Sequence, residues 1–205
     1  MVIKEYMTGP IGVNTYLVYD ESKKGFIVDP GGYSERLVKA VEADGVTIEY
    51  IMLTHGHADH FGGIEQFKAQ YPDAKVIACA QERETLHSPV INSSPEIMGR
   101  SVIFDADIYV NDGDRLTVGN TEWTFLHTPG HTEGGMCILS GDKLFSGDTL
   151  FRASIGRTDF PGGDFGKIVD SIRTKLYTLP DNTMVYPGHM GSTTIEYEKR
   201  HNPFV

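Results

Sequence analysis

The chain has 205 residues, is 40% hydrophobic and 22% charged, and carries a formal net charge of −10. It is long enough to bury a substantial core, and the acidic balance argues against nucleic acid as an electrostatic partner, since phosphates are repelled on average. No apolar run approaches the ~20 residues that cross a bilayer, and Met1 to Tyr6 lacks the apolar core of a signal peptide, so no membrane partner and a cytoplasmic location are expected.

In chain order, Thr15–Tyr19 predicts a strand, and Phe26–Val28 predicts a second after the turn Ser22–Gly25. Asp29-Pro30-Gly31-Gly32 breaks that strand, and Ser34 is placed to cap a helix with Leu37, Val38 and Val41 on one face. Ile48–Leu53 is the next strand and runs directly into a histidine-rich segment. A helix follows from about Phe61 to Gln70, then a buried strand over Lys75–Cys79. From about Gln81 to Asp105, Pro89 and Pro95 suggest short helices and a covering loop. Strands are predicted at Arg115–Val118, Glu122–His127, Met136–Leu139 and Lys143–Phe145. Phe165, Ile168, Val169, Ile172 and Leu176 fall on one helical stripe, Thr183–Tyr186 is a short strand, and Thr193 with Glu196 reads as a capping box. Two such halves suggest two sheets with helices outside, an αββα layering of the α/β class. With no linker or repeat, residues 1–205 are expected to form one domain. Cys79 and Cys137 lie in apolar stretches and read as buried free thiols.

The densest chemistry is Thr54-His55-Gly56-His57-Ala58-Asp59-His60. Three imidazoles and one carboxylate within six residues, at the end of an apolar strand, form a rigid platform for a transition metal. Further ligands must come from elsewhere. His131 follows Thr128-Pro129-Gly130, Asp148 follows Ser146-Gly147, and His189 follows Pro187-Gly188, each after a strand and a glycine. Any one of these reads singly as an exposed polar turn residue; together with the first run they suggest a converging set. His87, His127 and His201 lack this context and read as structural. Arg152 and Arg157 are candidates to meet a substrate carboxylate, the competing reading being an ion pair such as Arg157 with Asp159. No Gly-x-x-x-x-Gly-Lys run occurs, so nucleotide binding is rejected.

The motifs THGHADH, TPGHT at 128–132, SGDTLF at 146–151 and PGH at 187–189 resemble, in order, those of the metallo-β-lactamase superfamily, over nearly the whole chain. Gly156–Phe160 and the ending Thr193 to Phe204 resemble the short members of its glyoxalase II group, the hydroxyacylglutathione hydrolases. The resemblance implies the four-layer αββα sandwich. It implies that His55, His57 and His131 hold one metal, that Asp59, His60 and His189 hold a second, and that Asp148 and a hydroxide bridge the two. The ions would be divalent, zinc foremost, with iron or manganese possible by donor type. The implied activity is hydrolysis of a small-molecule thioester by that hydroxide, with Asp59 also accepting a hydrogen bond from the attacking water. Long glyoxalase II enzymes add a C-terminal helical segment that supplies much of the glutathione site. This sequence ends at Val205, so no separate substrate domain is expected and glutathione recognition is in question. A mononuclear iron persulfide dioxygenase, and a lactonase or other ester hydrolase of the same fold, are the competing functions. Oligomeric state is not legible.

Overall fold

The computed structural model describes residues 1–205. Two six-stranded sheets face each other. The first contains β1 (Val2–Thr8), β2 (Val13–Tyr19), β3 (Lys24–Val28), β4 (Thr47–Met52), β5 (Lys75–Cys79) and β6 (Ile108–Val110), in that spatial order. Its first three strands form an antiparallel meander, and β3 to β6 run parallel. Between them lie α1 (Glu35–Asp44), α2 (Ala58–Phe61), α3 (Ile64–Gln70), α4 (Arg83–His87), α5 (Pro89–Asn92) and α6 (Ser94–Met98). The second sheet uses β7 (Arg115–Val118), β8 (Thr121–His127), β9 (Met136–Ser140) and β10 (Lys143–Gly147), followed after the small hairpin β11 (Leu150–Phe151) and β12 (Ser154–Ile155) by β13 (Met184–Pro187) and β14 (Thr193–Thr194). Its order is β14-β13-β10-β9-β8-β7. The outer helices on this side are α7 (Phe165–Ser171), which continues as a π-helical segment to Leu176, and α8 (Ile195–His201).

The layering follows from where apolar side chains point. Tyr16, Val18, Phe26, Val28 and Met52 leave one face of the first sheet and meet Trp123, Phe125, Ile138 and Phe145 from the second. Phe26 stands edge-on to Trp123 with ring centres 4.9 Å apart, a favoured aromatic geometry. The alternate residues Leu17, Ile27, Ile51 and Val76 point outward beneath Leu37, Val41 and Phe67 of α1 and α3. Cys137, Leu144 and Val185 do the same beneath Ile168, Ile172, Leu176 and Ile195. Three apolar layers separate four layers of structure, which is the αββα sandwich. β2 is buried along its whole length because both of its faces are covered. Cys79 and Cys137 are buried and unpaired. No helix is long and apolar enough to cross a membrane.

Two local expectations differ. The helix expected over residues 61–70 is split, α2 and α3 being separated by Gly62 and Gly63. The Gly31-Gly32 backbone approaches so closely there that a Cβ at either position would overlap it, and Gly63 N–H donates to the Pro30 carbonyl. The capping box does not form: Thr193 pairs with Val185 in the sheet, so the cap shifts to Thr194, whose hydroxyl accepts from Tyr197 N–H. Glu196 instead pairs with Arg200. Ser34 caps α1 as expected, accepting from Leu37 N–H.

Candidate metal centre

Four strand ends deliver the chemistry to one place. β4 ends at Met52, and His55, His57, Asp59 and His60 follow on the turn into α2; His131 follows β8, Asp148 follows β10, and His189 follows β13. All seven side chains converge, in overlapping groups: His55 with His57 and His131; His55 with His60 and Asp148; Asp59 with His60 and His189. His57 Nδ1 lies 3.1 Å from His55 Nε2 and 2.9 Å from His131 Nε2. His189 Nε2 lies 3.1 Å from Asp59 Oδ2, and His60 Nε2 lies 3.5 Å from the same oxygen. Asp148 stands between the two groups, with Oδ1 3.3 Å from His60 Nε2 and Oδ2 3.7 Å from both His131 and His189. The tightness of this packing explains Gly188: a Cβ there would overlap Asp148 Oδ1 and the His60 ring.

A metal fits these residues. His60 Nε2 and Asp148 Oδ1 are buried without a hydrogen-bond partner, and such orphaned polar atoms are costly unless something else satisfies them. Imidazoles and carboxylates are the donors that transition metals take. Burial and the neighbouring imidazoles push His55 well below the usual histidine range, and burial and His131 push His57 down to about 3. Both rings are therefore neutral, as a ligand must be. Burial opposes the charge on His60, but Asp59, Asp148 and Asp29 outweigh it and raise its pKa. His189 is raised in the same way by Asp59 and Asp148. Asp148 is held well below the carboxylate range by His60, His131 and His189 despite its burial.

The ring orientations are set from behind. His131 Nδ1–H donates to the Arg157 carbonyl at 2.7 Å, which turns Nε2 inward. Asp29 accepts from Thr54 N–H at 2.7 Å and from the Thr54 hydroxyl at 2.6 Å, and its Oδ2 lies 2.9 Å from His60 Nδ1. Asp29 is fully buried in a left-handed backbone conformation with φ 47°, one that Asp tolerates better than most residues. Its place was missed in the sequence, where Asp-Pro-Gly-Gly read only as a strand terminator. The available signal was a carboxylate at the end of β3, the strand parallel to β4. Glu82 was also missed. It is completely buried, accepts from the Thr132 hydroxyl, and sits against Gly56, so it joins the His55 and His131 turns.

A cavity of about 490 Å³ opens beside the centre and is bounded on one side by His57, Asp59, His131, Asp148 and His189. Arg157 reaches its wall, but its guanidinium is held in a two-pronged pair by Asp159 at 2.6 and 2.7 Å and lies over Phe160. Arg152 does not line the cavity and rests over Tyr197. The ion-pair reading of Arg157 is thus the one the geometry favours. His87, His127 and His201 lie elsewhere, against Asp105, the Glu133 carbonyl and the Tyr197 carbonyl.

The chain is similar to known proteins over nearly its whole length. Residues 8–189 match the family model of the metallo-β-lactamase superfamily. Hydroxyacylglutathione hydrolase GloC of Haemophilus influenzae is 37% identical over 200 residues, covering 94% of this chain and 92% of that protein. Among solved structures, the BLEG-1 B3 metallo-β-lactamase superposes with a TM-score of 0.91 at 37% identity, covering 99% of both chains. TTHA1623 in a di-iron-bound form gives 0.86 at 30% identity, covering 98% of this chain and all of that one. The chain belongs to the metallo-β-lactamase superfamily.

Proposed function

We propose that this protein hydrolyses small acyl thioesters with two divalent metal ions. One would be held by His55, His57 and His131, the other by Asp59, His60 and His189, with Asp148 shared. Zinc suits these donors first, and iron and manganese are accommodated by the same types. The observation that carries the reading is the seven-residue convergence with Asp148 within 3.7 Å of side chains from both groups. The similarity to GloC and to a di-iron protein supports it. We also propose that residues 1–205 act as one domain.

Ions bound here supply Lewis acidity to the substrate carbonyl and to water. The protein's own groups do the rest. Asp29 and the Arg157 carbonyl hold His60 and His131 in the orientation that faces the centre. Asp59, on the cavity wall, accepts a hydrogen bond from attacking water. A thiolate departs without strong protonation, so the absence of Lys, Tyr and Cys from the cavity wall is no obstacle.

The test is metal analysis of metal-replete protein beside assays for thioester cleavage, lactone opening and oxygen uptake. About two ions per chain and thiol release are expected. One ion per chain with oxygen consumption would replace this reading with the mononuclear iron dioxygenase. Two ions with lactone opening alone would move the substrate from thioesters to lactones.

A further inference from the structure

Resting on the hydrolase reading above, we infer that the acyl part of the substrate is an uncharged, apolar chain longer than acetyl. Away from the centre the cavity wall carries Ile11, Ile97, Phe151, Ile155, Phe160 and Met190, with Ser93, Glu96, Ser154 and Arg157 as its polar members. This apolar surface begins at the centre itself. The Phe160 ring stands 5.4 Å from the His57 ring and the Phe151 ring 6.2 Å from the His189 ring, measured between ring centres. A carbonyl at the centre therefore directs its substituent along aromatic and aliphatic walls.

The charges point the same way. Away from the centre, Arg157 is the one cationic side chain on the wall, and Asp159 and Phe160 already hold its guanidinium. Glu96 adds negative charge at the wall. A carboxylate at the far end of the acyl group, away from the centre, would meet only that paired guanidinium and would face Glu96. Ile11 and Met190 are 57% and 56% exposed, so apolar side chains extend from the cavity to solvent. Met190 adopts this position in a left-handed backbone conformation with φ 67°, which an unbranched side chain rarely takes unless the surroundings impose it. Asn14 imposes it, donating from Nδ2 to the Met190 carbonyl at 2.7 Å. The volume of about 490 Å³ is that of an ordinary small-molecule site. GloC is named for a hydroxyacyl substrate; the six apolar residues of this wall offer an added surface to a longer hydrocarbon chain.

The experiment uses the metal-loaded protein in two arms. In the first, kcat/KM is measured for S-acetyl, S-butanoyl, S-hexanoyl and S-octanoyl N-acetylcysteamine and for the S-lactoyl ester of the same thiol. In the second, calorimetry measures binding of acetate, butanoate, hexanoate and octanoate, which requires no turnover. Each added methylene should raise kcat/KM and carboxylate affinity about three- to fourfold until the cavity is filled. Ile97→Ser and Ile11→Ser should both flatten that dependence. Thioester cleavage without chain-length dependence, or a lactoyl ester favoured tenfold over butanoyl, overturns the inference and leaves the thioester reading intact. Carboxylate affinity that climbs with length in a protein that cleaves no thioester supports the apolar acyl site and overturns the thioester reading. Flat affinity and no cleavage overturn both.

Discussion

Asp148 and Asp59 are both buried carboxylates of the centre, yet they are placed differently. Asp148 reaches His60, His131 and His189, whereas Asp59 reaches only His60 and His189. Removing the shared carboxylate takes negative charge from between two cations, so Asp148→Ala should lose more metal than Asp59→Ala. Elemental analysis after dialysis against a weak chelator checks this; equal losses would show that Asp148 is not shared. The histidines differ in the same graded way. His55 and His57 are neutral because burial pushes them down, while His60 and His189 are pushed up by their carboxylates. A raised histidine must give up a proton before it takes a metal, so affinity at the His60 group falls as pH falls. The expected cost is about tenfold per retained proton per pH unit. Metal titrations at pH 6, 7 and 8 should show the ion at Asp59, His60 and His189 leaving first. Simultaneous loss of both ions with one slope would contradict the assignment.

Among the elements, β2 has a second task beyond its place in the sheet. Asn14 N–H donates to the Gly188 carbonyl at 2.7 Å, and its side-chain amide donates to the Pro187 and Met190 carbonyls at 3.1 and 2.7 Å. The Tyr16 hydroxyl donates to Pro187 as well. These bonds strap the end of β13, and with it His189, to the opposite sheet. Asn14→Ala removes two of them and should cost about 1–3 kcal/mol of stability. Faster amide exchange should be confined to residues 187–191, with weaker binding of the second metal. Exchange that rises evenly across the chain would mean the strap is merely part of the core. The turn at Glu82 plays the corresponding part for the His55 and His131 turns through Thr132 and Gly56.

At the scale of the whole molecule, the two halves are joined at the far end by Asp20. This carboxylate at the end of β2 accepts from Asn120 N–H at 2.7 Å and from the Thr121 hydroxyl at 3.0 Å, both at the β7–β8 turn. Burial works against its charge, but hydrogen bonds from Ser22, Asn120 and Thr121 outweigh it and lower its pKa to about 2. A depressed carboxylate stabilises the fold above its unfolded value of 3.8, and that contribution is lost as pH falls through about 2. Asp20→Asn should therefore be less stable than the parent at pH 6 by about 1–3 kcal/mol, and the gap should narrow between pH 4 and pH 2. Urea midpoints across that range measure it; a gap independent of pH would show that the charge is not the source.

The order of strands and helices was written in the sequence because side-chain alternation and helical spacing are local. The same holds for the ligand-type residues, since His55, His57, Asp59 and His60 lie in one short run after a strand and His131, Asp148 and His189 each follow a strand and a glycine. The αββα layering was legible from that order together with the resemblance of the motifs. What could not be read locally was decided by approach between distant segments. The break at Gly62 and Gly63 exists because Gly31 and Gly32 press against it, and the last helix starts at Ile195 because Thr193 is needed by the sheet. Asp29 joins the centre only because β3 lies beside β4. Arg157, a candidate substrate contact by sequence, is taken by Asp159 while its backbone carbonyl orients His131. The apolar wall of the cavity draws on Ile11, Ile97, Phe151, Ile155, Phe160 and Met190, scattered along most of the chain with no common period. A surface assembled from one short helix, a small hairpin and three loop positions leaves no periodic trace, so only the folded chain reveals it.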